Sequence, residues 1–230
     1  MRKRVPRSRV RRRSDRHLTR DVAATRRSLL DAARQLFAEH AFDDVTVRDI
    51  CRAAGVNLAL VNYHFGDKVG LYLEVMNEAI AAIRQFNTVA MTAPEGSSAE
   101  DRLRHFVRAF LQRIFEHQDR DAWVHKLIQQ ELNRPTDAAN RIIEEAIVPR
   151  LRYLAAVVIE LLACPPTDPR VMRCVASVHG LCLVYSRMIL APRLKIVAPD
   201  LITQEPLEFD SAVDHVVAFS LAGIRAMRTP

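Results

Sequence analysis

The chain has 230 residues, of which 49% are hydrophobic, and a formal net charge of +7; that excludes a wholly disordered chain and leaves room for a sizeable core in one large or two small domains. Only 6 glycines are present, strictly alternating Val/Ile/Thr/Tyr runs are missing, and Ala, Leu, Arg and Glu dominate, so the expected fold class is all-α. The charge is lopsided: residues 1–20 hold ten Lys/Arg against one acid, Asp15, and the rest of the chain is close to neutral.

In chain order, residues 1–20 read as a disordered basic arm suited to phosphate or to an anionic surface. No apolar stretch follows it, so a signal peptide is not expected, and no apolar run is long enough for a transmembrane helix. A first amphipathic helix is predicted over about 22–40 from Leu29, Ala33, Leu36 and Phe37. In "TVRD", Thr46 is an N-cap with Asp49 three residues on, a variant of the capping box. The short helix that follows stops at Gly55, and Asn57 caps the next one, which ends at Gly66. Asp67 opens a long amphipathic helix that "APEGSS" breaks. Five further helices are predicted, at about 98–117, 120–133, 136–162, 168–191 and 209–228, with Pro149 kinking or splitting the third of them. The three-proline stretch at 191–208 reads as a loop.

Residues 46–65 thus read as helix, tight turn, helix. As a DNA reader, the second helix needs an inward face to lock it, and Val56, Val61 and Phe65 supply one against Leu36, Phe37 and Ile50. Its outward face needs donors and acceptors for base edges and phosphates. Asn62, Tyr63 and His64 provide them, Leu58 and Ala59 suit thymine methyls, and Lys68 is placed for a phosphate. Thr46, Arg48 and Asn57 lie at helix starts that approach the backbone. A plain helical hairpin with a polar solvent face gives the same spacing.

Three stretches, "LLDAARQLFAEHAF", "TVRDICRAAGV" and "YHFGDKVGLY", resemble the N-terminal domain of TetR/AcrR-type transcriptional regulators over residues 25–73. "VNYHFGDKVGLY" together with "KLIQQELNRPT" is similar to the CecR-type (YbiH-like) subgroup. The resemblance implies about nine helices: a helix-turn-helix DNA-binding domain at 21–67 and a helical effector-binding and dimerisation domain at 68–230. It implies a repressor that binds a palindromic operator as a two-fold dimer and is released by a small-molecule effector. Family members often have Thr at the position of Leu60 and Tyr at that of Asn62, so the phosphate clamp here leans on Tyr63, His64 and Lys68.

The dimer is expected through the helices near 168–191 and 209–228, whose apolar faces carry Val171, Val175, Val178, Leu181 and Leu183, and Val213, Val216, Val217, Leu221 and Ile224. Candidate effector contacts are the polar or aromatic residues on otherwise apolar helices: Phe106, Phe110, Trp123, His125, Tyr153, His179 and Tyr185. Each is also an ordinary kind of core residue. The arm has two readings, a contact in the adjacent minor groove or a segment without a DNA role.

Cys51, Cys164, Cys174 and Cys182 have no CxxC spacing and read as free thiols in a reducing cytoplasm, and no metal or other cofactor is expected. GxSxG, HExxH, GxxxxGK and GxGxxG are absent, so an enzyme is not expected. The rival reading is an interaction or membrane-surface protein that uses its basic arm without reading DNA sequence.

Overall fold

The computed structural model describes residues 8–116, 122–186, 196–197 and 208–228, and within them all regular structure is helical. The elements are α1 (Ser8–Glu39), a 3₁₀ turn (Phe42–Asp44), α2 (Val47–Ala54), α3 (Leu58–Phe65), α4 (Lys68–Met91), α5 (Ala99–Glu116) and α6 (Ala122–Asn133). Then come α7 (Ala139–Ile142), a π-helical turn (Ile143–Ile147), α8 (Val148–Leu162), α9 (Pro169–Ser186) and α10 (Phe209–Ala226). With α7, the π turn and α8 counted as one irregular helix, the described residues hold the nine helices expected. Residues 1–7, the segment expected to carry α9 on to residue 191, and most of the loop expected at 191–208 lie outside the described residues.

Helix α1 corrects one expectation. It begins at Ser8 rather than near residue 22, so residues 8–20 of the expected disordered arm are helical. Between Pro6 and the end of α1 there is no Gly or Pro, and arginine is a good helix former. Charge density argued for disorder, but backbone propensity runs the other way.

The chain divides into two compact units. One holds the residues up to Ala79 together with Trp123–Ala139, and the other holds Ile80–Ala122 with the chain from Asn140 on. By sequence, everything after residue 67 belongs to the second domain; by packing, the division falls within α4 and α6 joins the first unit.

The core of the first unit is built from Leu29, Ala33 and Phe37 of α1, Ile50 of α2, Val61 of α3, Leu71, Val75 and Met76 of α4, and Leu127 of α6. Tyr72 packs edge-on to Phe37 and tilted against Phe42, each at 4.8 Å between ring centroids. Polar contacts tie α6 to this core. Glu131 is 1% exposed, and its carboxylate accepts from the Tyr72 hydroxyl, from the Thr136 amide at 2.8 Å and from the Thr136 hydroxyl at 2.6 Å. Arg134 pairs with Asp44 at 2.5 Å, and the Arg34 guanidinium lies 5.5 Å from the Trp123 ring.

In the second unit, α5, α8, α9 and α10 surround an apolar core that includes Leu103, Phe106, Val107, Leu154, Val158, Val175, Val178, Val213 and Val217. The split predicted at Pro149 occurs. Proline cannot donate to the carbonyl four residues back, and the chain widens into the π turn just before it. The buried Asn87 side chain donates to the Ala146 carbonyl within that turn at 2.8 Å. Exposed ion pairs join α5 to α10, Arg104–Asp214 at 2.6 Å and Arg108–Asp210 at 2.7 Å; at such exposure each contributes little.

The faces assigned to a partner need correction. Val171, Val175, Val178, Val213, Val216, Val217 and Ile224 are buried within the chain's own unit. The apolar surface left exposed on α9 and α10 is Met172, Val184 and Phe219. An apolar stripe does not say whose core it fills.

Candidate nucleic-acid interface and effector cluster

The turn between α2 and α3 is specified by local chemistry. The Thr46 hydroxyl accepts from the Asp49 amide at 3.2 Å, and the Asp49 carboxylate accepts from the Thr46 amide at 3.2 Å, a complete capping box. The same carboxylate also accepts a hydrogen bond from the Thr46 hydroxyl at 2.5 Å. These hydrogen bonds hold the Asp49 carboxyl below the usual carboxylate range. Gly55 sits at φ 68°, ψ 31°, a left-handed conformation that costs little without a Cβ. The Ser28 hydroxyl of α1 donates to the Ala54 carbonyl at 3.0 Å and fastens the end of α2. Asn57 then caps α3, its side chain accepting from the Ala59 amide at 3.1 Å.

Helix α3 presents two faces. Val61 is fully buried, and Phe65 is partly buried with the Arg26 guanidinium 5.2 Å from its ring. On the other side Leu58, Ala59, Asn62 and Tyr63 are exposed, Tyr63 at 73%. Their spacing, i, i+1, i+4 and i+5, makes one patch at the width of a helix face. Arg48 on α2 is exposed as well. Thus Leu58, Ala59, Asn62 and Tyr63 form one solvent-facing set of apolar contacts, donors and acceptors on α3, and Arg48 is a separate exposed cation on α2.

Four expected DNA contacts are placed differently. Thr46 and Asn57 are exposed, but their side-chain oxygens serve as helix caps. His64 is partly buried, with its Nε2 shut off from solvent and with no hydrogen-bond partner among the described residues; Tyr63 meets its ring edge-on at 5.0 Å. The Lys68 ammonium donates to the carbonyls of Phe42 and Val45, both at 3.0 Å, and lies 4.1 Å from the Phe42 ring. Its first task is to tie the start of α4 to the loop before α2, and a phosphate contact is left one proton. The start of α4 is also close-packed. A Cβ on Gly70 would come 2.0 Å from the Phe65 carbonyl oxygen, while the Gly70 amide donates to Asp67 at 2.8 Å.

The expected effector residues divide between the units. Phe106, Phe110, Tyr153 and His179 meet in the second unit. Phe110 is their hub, with Phe106 at 6.0 Å, His179 edge-on at 5.5 Å and Phe86 edge-on at 5.7 Å between centroids. Tyr153 stacks on Phe106 at 6.2 Å. Tyr185, partly buried, packs against the same core. Trp123 and His125 belong instead to the first unit, Trp123 beneath Arg34 and His125 exposed.

The sequence reading misses Arg150. Its guanidinium lies 5.3 Å from the Phe110 ring, and its Nε is buried with no hydrogen-bond partner among the described residues. Burial, reinforced by repulsion from Arg113, lowers its pKa to about 10. Cys182, buried beside it, has its thiol pushed up to about 12, chiefly by burial. In "VPRLRYL" Arg150 and Arg152 look equivalent; only the helical phase after the π turn turns one of them inward.

The folded pattern can be compared with known proteins. Residues 29–75 match the family "Bacterial regulatory proteins, tetR family". Residues 99–224, more than half of the chain, match "HTH-type transcriptional dual regulator CecR, C-terminal domain". The HTH-type transcriptional repressor Rv1474c of Mycobacterium tuberculosis is 40% identical over 57 residues, 25% of this chain and 30% of that protein. The HTH-type transcriptional regulator BetI of Agrobacterium fabrum is 35% identical over 71 residues, 31% and 34% of the two chains. The chain therefore spans about a third of the length of these curated relatives. Among solved structures, a TetR-like transcriptional regulator from Rhodococcus sp. RHA1 aligns with a TM-score of 0.61 at 16% identity, covering 87% of this chain and 95% of that one. A transcriptional regulator from Pseudomonas aeruginosa PAO1 gives 0.61 at 20% identity, with 87% and 90% covered. With the capped turn, the two-faced α3 and both family matches in hand, the chain belongs to the TetR family of bacterial regulatory proteins, with a C-terminal domain of the CecR type.

Proposed function

We propose that this protein is a sequence-specific DNA-binding repressor that acts as a homodimer in the cytoplasm and leaves its operator when a small molecule binds its second unit. The observation that carries this reading is the exposed Leu58, Ala59, Asn62 and Tyr63 face on a helix whose position is locked by Val61, Gly55 and two caps. Helix α3 enters the major groove, Asn62 and Tyr63 supply hydrogen bonds, and Leu58 and Ala59 meet thymine methyls. Arg48 approaches the backbone from the start of α2, with Lys68 and His64 in support. The basic residues of the first 20 add a salt-dependent phosphate term. Repression is supported by the relative named as a repressor.

Two copies pair through α9 and α10, where Met172, Val184 and Phe219 remain exposed. A two-fold pair of α3 helices then reads half-sites about one helical turn, roughly 34 Å, apart. The effector sits at the Phe106, Phe110, Tyr153 and His179 cluster, with Tyr185 at its edge, and shifts the dimer by its differential affinity for the two states. Selection of bound sequences from a random duplex pool tests this reading. A two-fold symmetric consensus is expected; equal recovery of all sequences would contradict it, and binding that prefers anionic vesicles would favour a membrane-surface protein.

A further inference from the structure

Arg150 stands out in the second unit because, among the described residues, nothing completes it. Arg150 is partly exposed as a residue but its Nε is shut off from solvent, and a cation so placed is normally paired, since removing a charge from water costs more than most single contacts return. Among the described residues no carboxylate pairs with Arg150, and its Nε has no hydrogen-bond partner. Arg113 adds repulsion, and the neighbouring Cys182 thiol is neutral at pH 7. The Phe110 ring at 5.3 Å offsets only part of the cost. Three residues along α8, the Tyr153 hydroxyl is also buried with no partner among the described residues, and positions three apart share a helix face. Unused donors are thus set among the rings of Phe86, Phe106, Phe110 and His179.

We propose that the effector carries a carboxylate, or a comparably compact anion, on an apolar body, and that Arg150 receives the anion while the Phe110-centred rings hold the body. This rests on the reading that the second unit binds an effector, and it names the chemical class. A planar guanidinium presents paired N–H groups that match two carboxylate oxygens. A neutral ligand leaves the charge uncompensated, and a cationic ligand adds to the repulsion. Tyr153 offers a further donor to the same anion.

The test uses the full chain and matched pairs of probes: straight-chain carboxylates from hexanoate to palmitate and phenylbutyrate, each beside its primary amide, followed by titration calorimetry. At least one carboxylate should bind about tenfold or more tightly than its amide. Arg150→Met should abolish that preference, and Arg150→Lys should keep part of it. Without ligand, Arg150→Met should melt no lower than wild type, because it removes an uncompensated buried charge. The proposal is overturned if no carboxylate outbinds its amide, if the preference survives in Arg150→Met, or if ligand-free Arg150→Met melts several degrees lower, which would make Arg150 a structural residue. Failure here with a palindrome still selected from random DNA sinks the ligand class alone. A carboxylate that binds through Arg150 without changing DNA affinity sinks the release mechanism and leaves the ligand class standing.

Discussion

Replacing Tyr72 by Phe should destabilise the first unit measurably without creating a cavity. The ring stays, so its packing against Phe37 and Phe42 is kept; only the hydroxyl goes. That hydroxyl is one of three donors to the Glu131 carboxylate, the others being the Thr136 amide at 2.8 Å and hydroxyl at 2.6 Å. Burial and the adjacent carboxylate push the Tyr72 pKa well above the ordinary tyrosine range, so it remains a donor at any working pH. A hydrogen bond to a charged group contributes about 1.5–3 kcal/mol, so a loss of about 2 kcal/mol is expected. For a chain of this size that is a fall in Tm of roughly 4–8 °C. Urea unfolding followed by circular dichroism measures it, with exposed Tyr63→Phe as the control that should stay close to wild type. Tyr72→Phe within about 0.5 kcal/mol of wild type would refute the reasoning, because surface-like substitutions already fall in that range. A cycle with Thr136→Val should show coupling, since the two residues serve one carboxylate.

Three further outcomes follow from other parts of the structure. Asp168 caps the start of α9 and grips Arg170 at 2.7 Å, and those hydrogen bonds bring its pKa down to about 2 from 3.8; a depressed carboxylate stabilises the fold above its unfolded pKa, so acid unfolding should lose this contribution between about pH 4 and pH 2, and Asp168→Asn should flatten that part of the profile. Deleting residues 1–19 should reduce the steepness with which operator affinity falls as salt rises, by close to one unit of slope for each phosphate that the arm neutralises; an unchanged slope removes the arm from the interface. Trp123→Phe should leave the response to effector intact while perturbing the packing of α6 on α1 beneath Arg34; loss of the response, with stability unchanged, would return Trp123 to the ligand site.

The parts legible in sequence are those set by neighbours in sequence. Thr46 and Asp49, Gly55, Asn57 and Pro149 act through backbone groups a few residues away, and each does what its chemistry demands. Lys68 is legible as a charge at a helix start, but its hydrogen bonds go to carbonyls 26 and 23 residues back. Trp123 and Glu131 depend on which unit α6 joins, and periodicity does not carry that. The valines of α9 and α10 show how far a stripe can mislead: the pattern marks burial but not whether the cover is the same chain or a second copy. Arg150 is hidden by the phase change at the π turn, and the start of α1 by a charge run that reads as disorder.

The exposed side of α3 is the surface proposed to read DNA. The direct measurement is fluorescence anisotropy of the selected operator and of a scrambled duplex, titrated with wild type, Asn62→Ala, Tyr63→Ala and the double variant, all checked for unchanged melting. Each base contact supports about 1–3 kcal/mol of discrimination, so each single variant should lose roughly fivefold to a hundredfold in operator affinity, with the scrambled duplex little affected. Full operator affinity in the double variant would show that another surface reads the sequence.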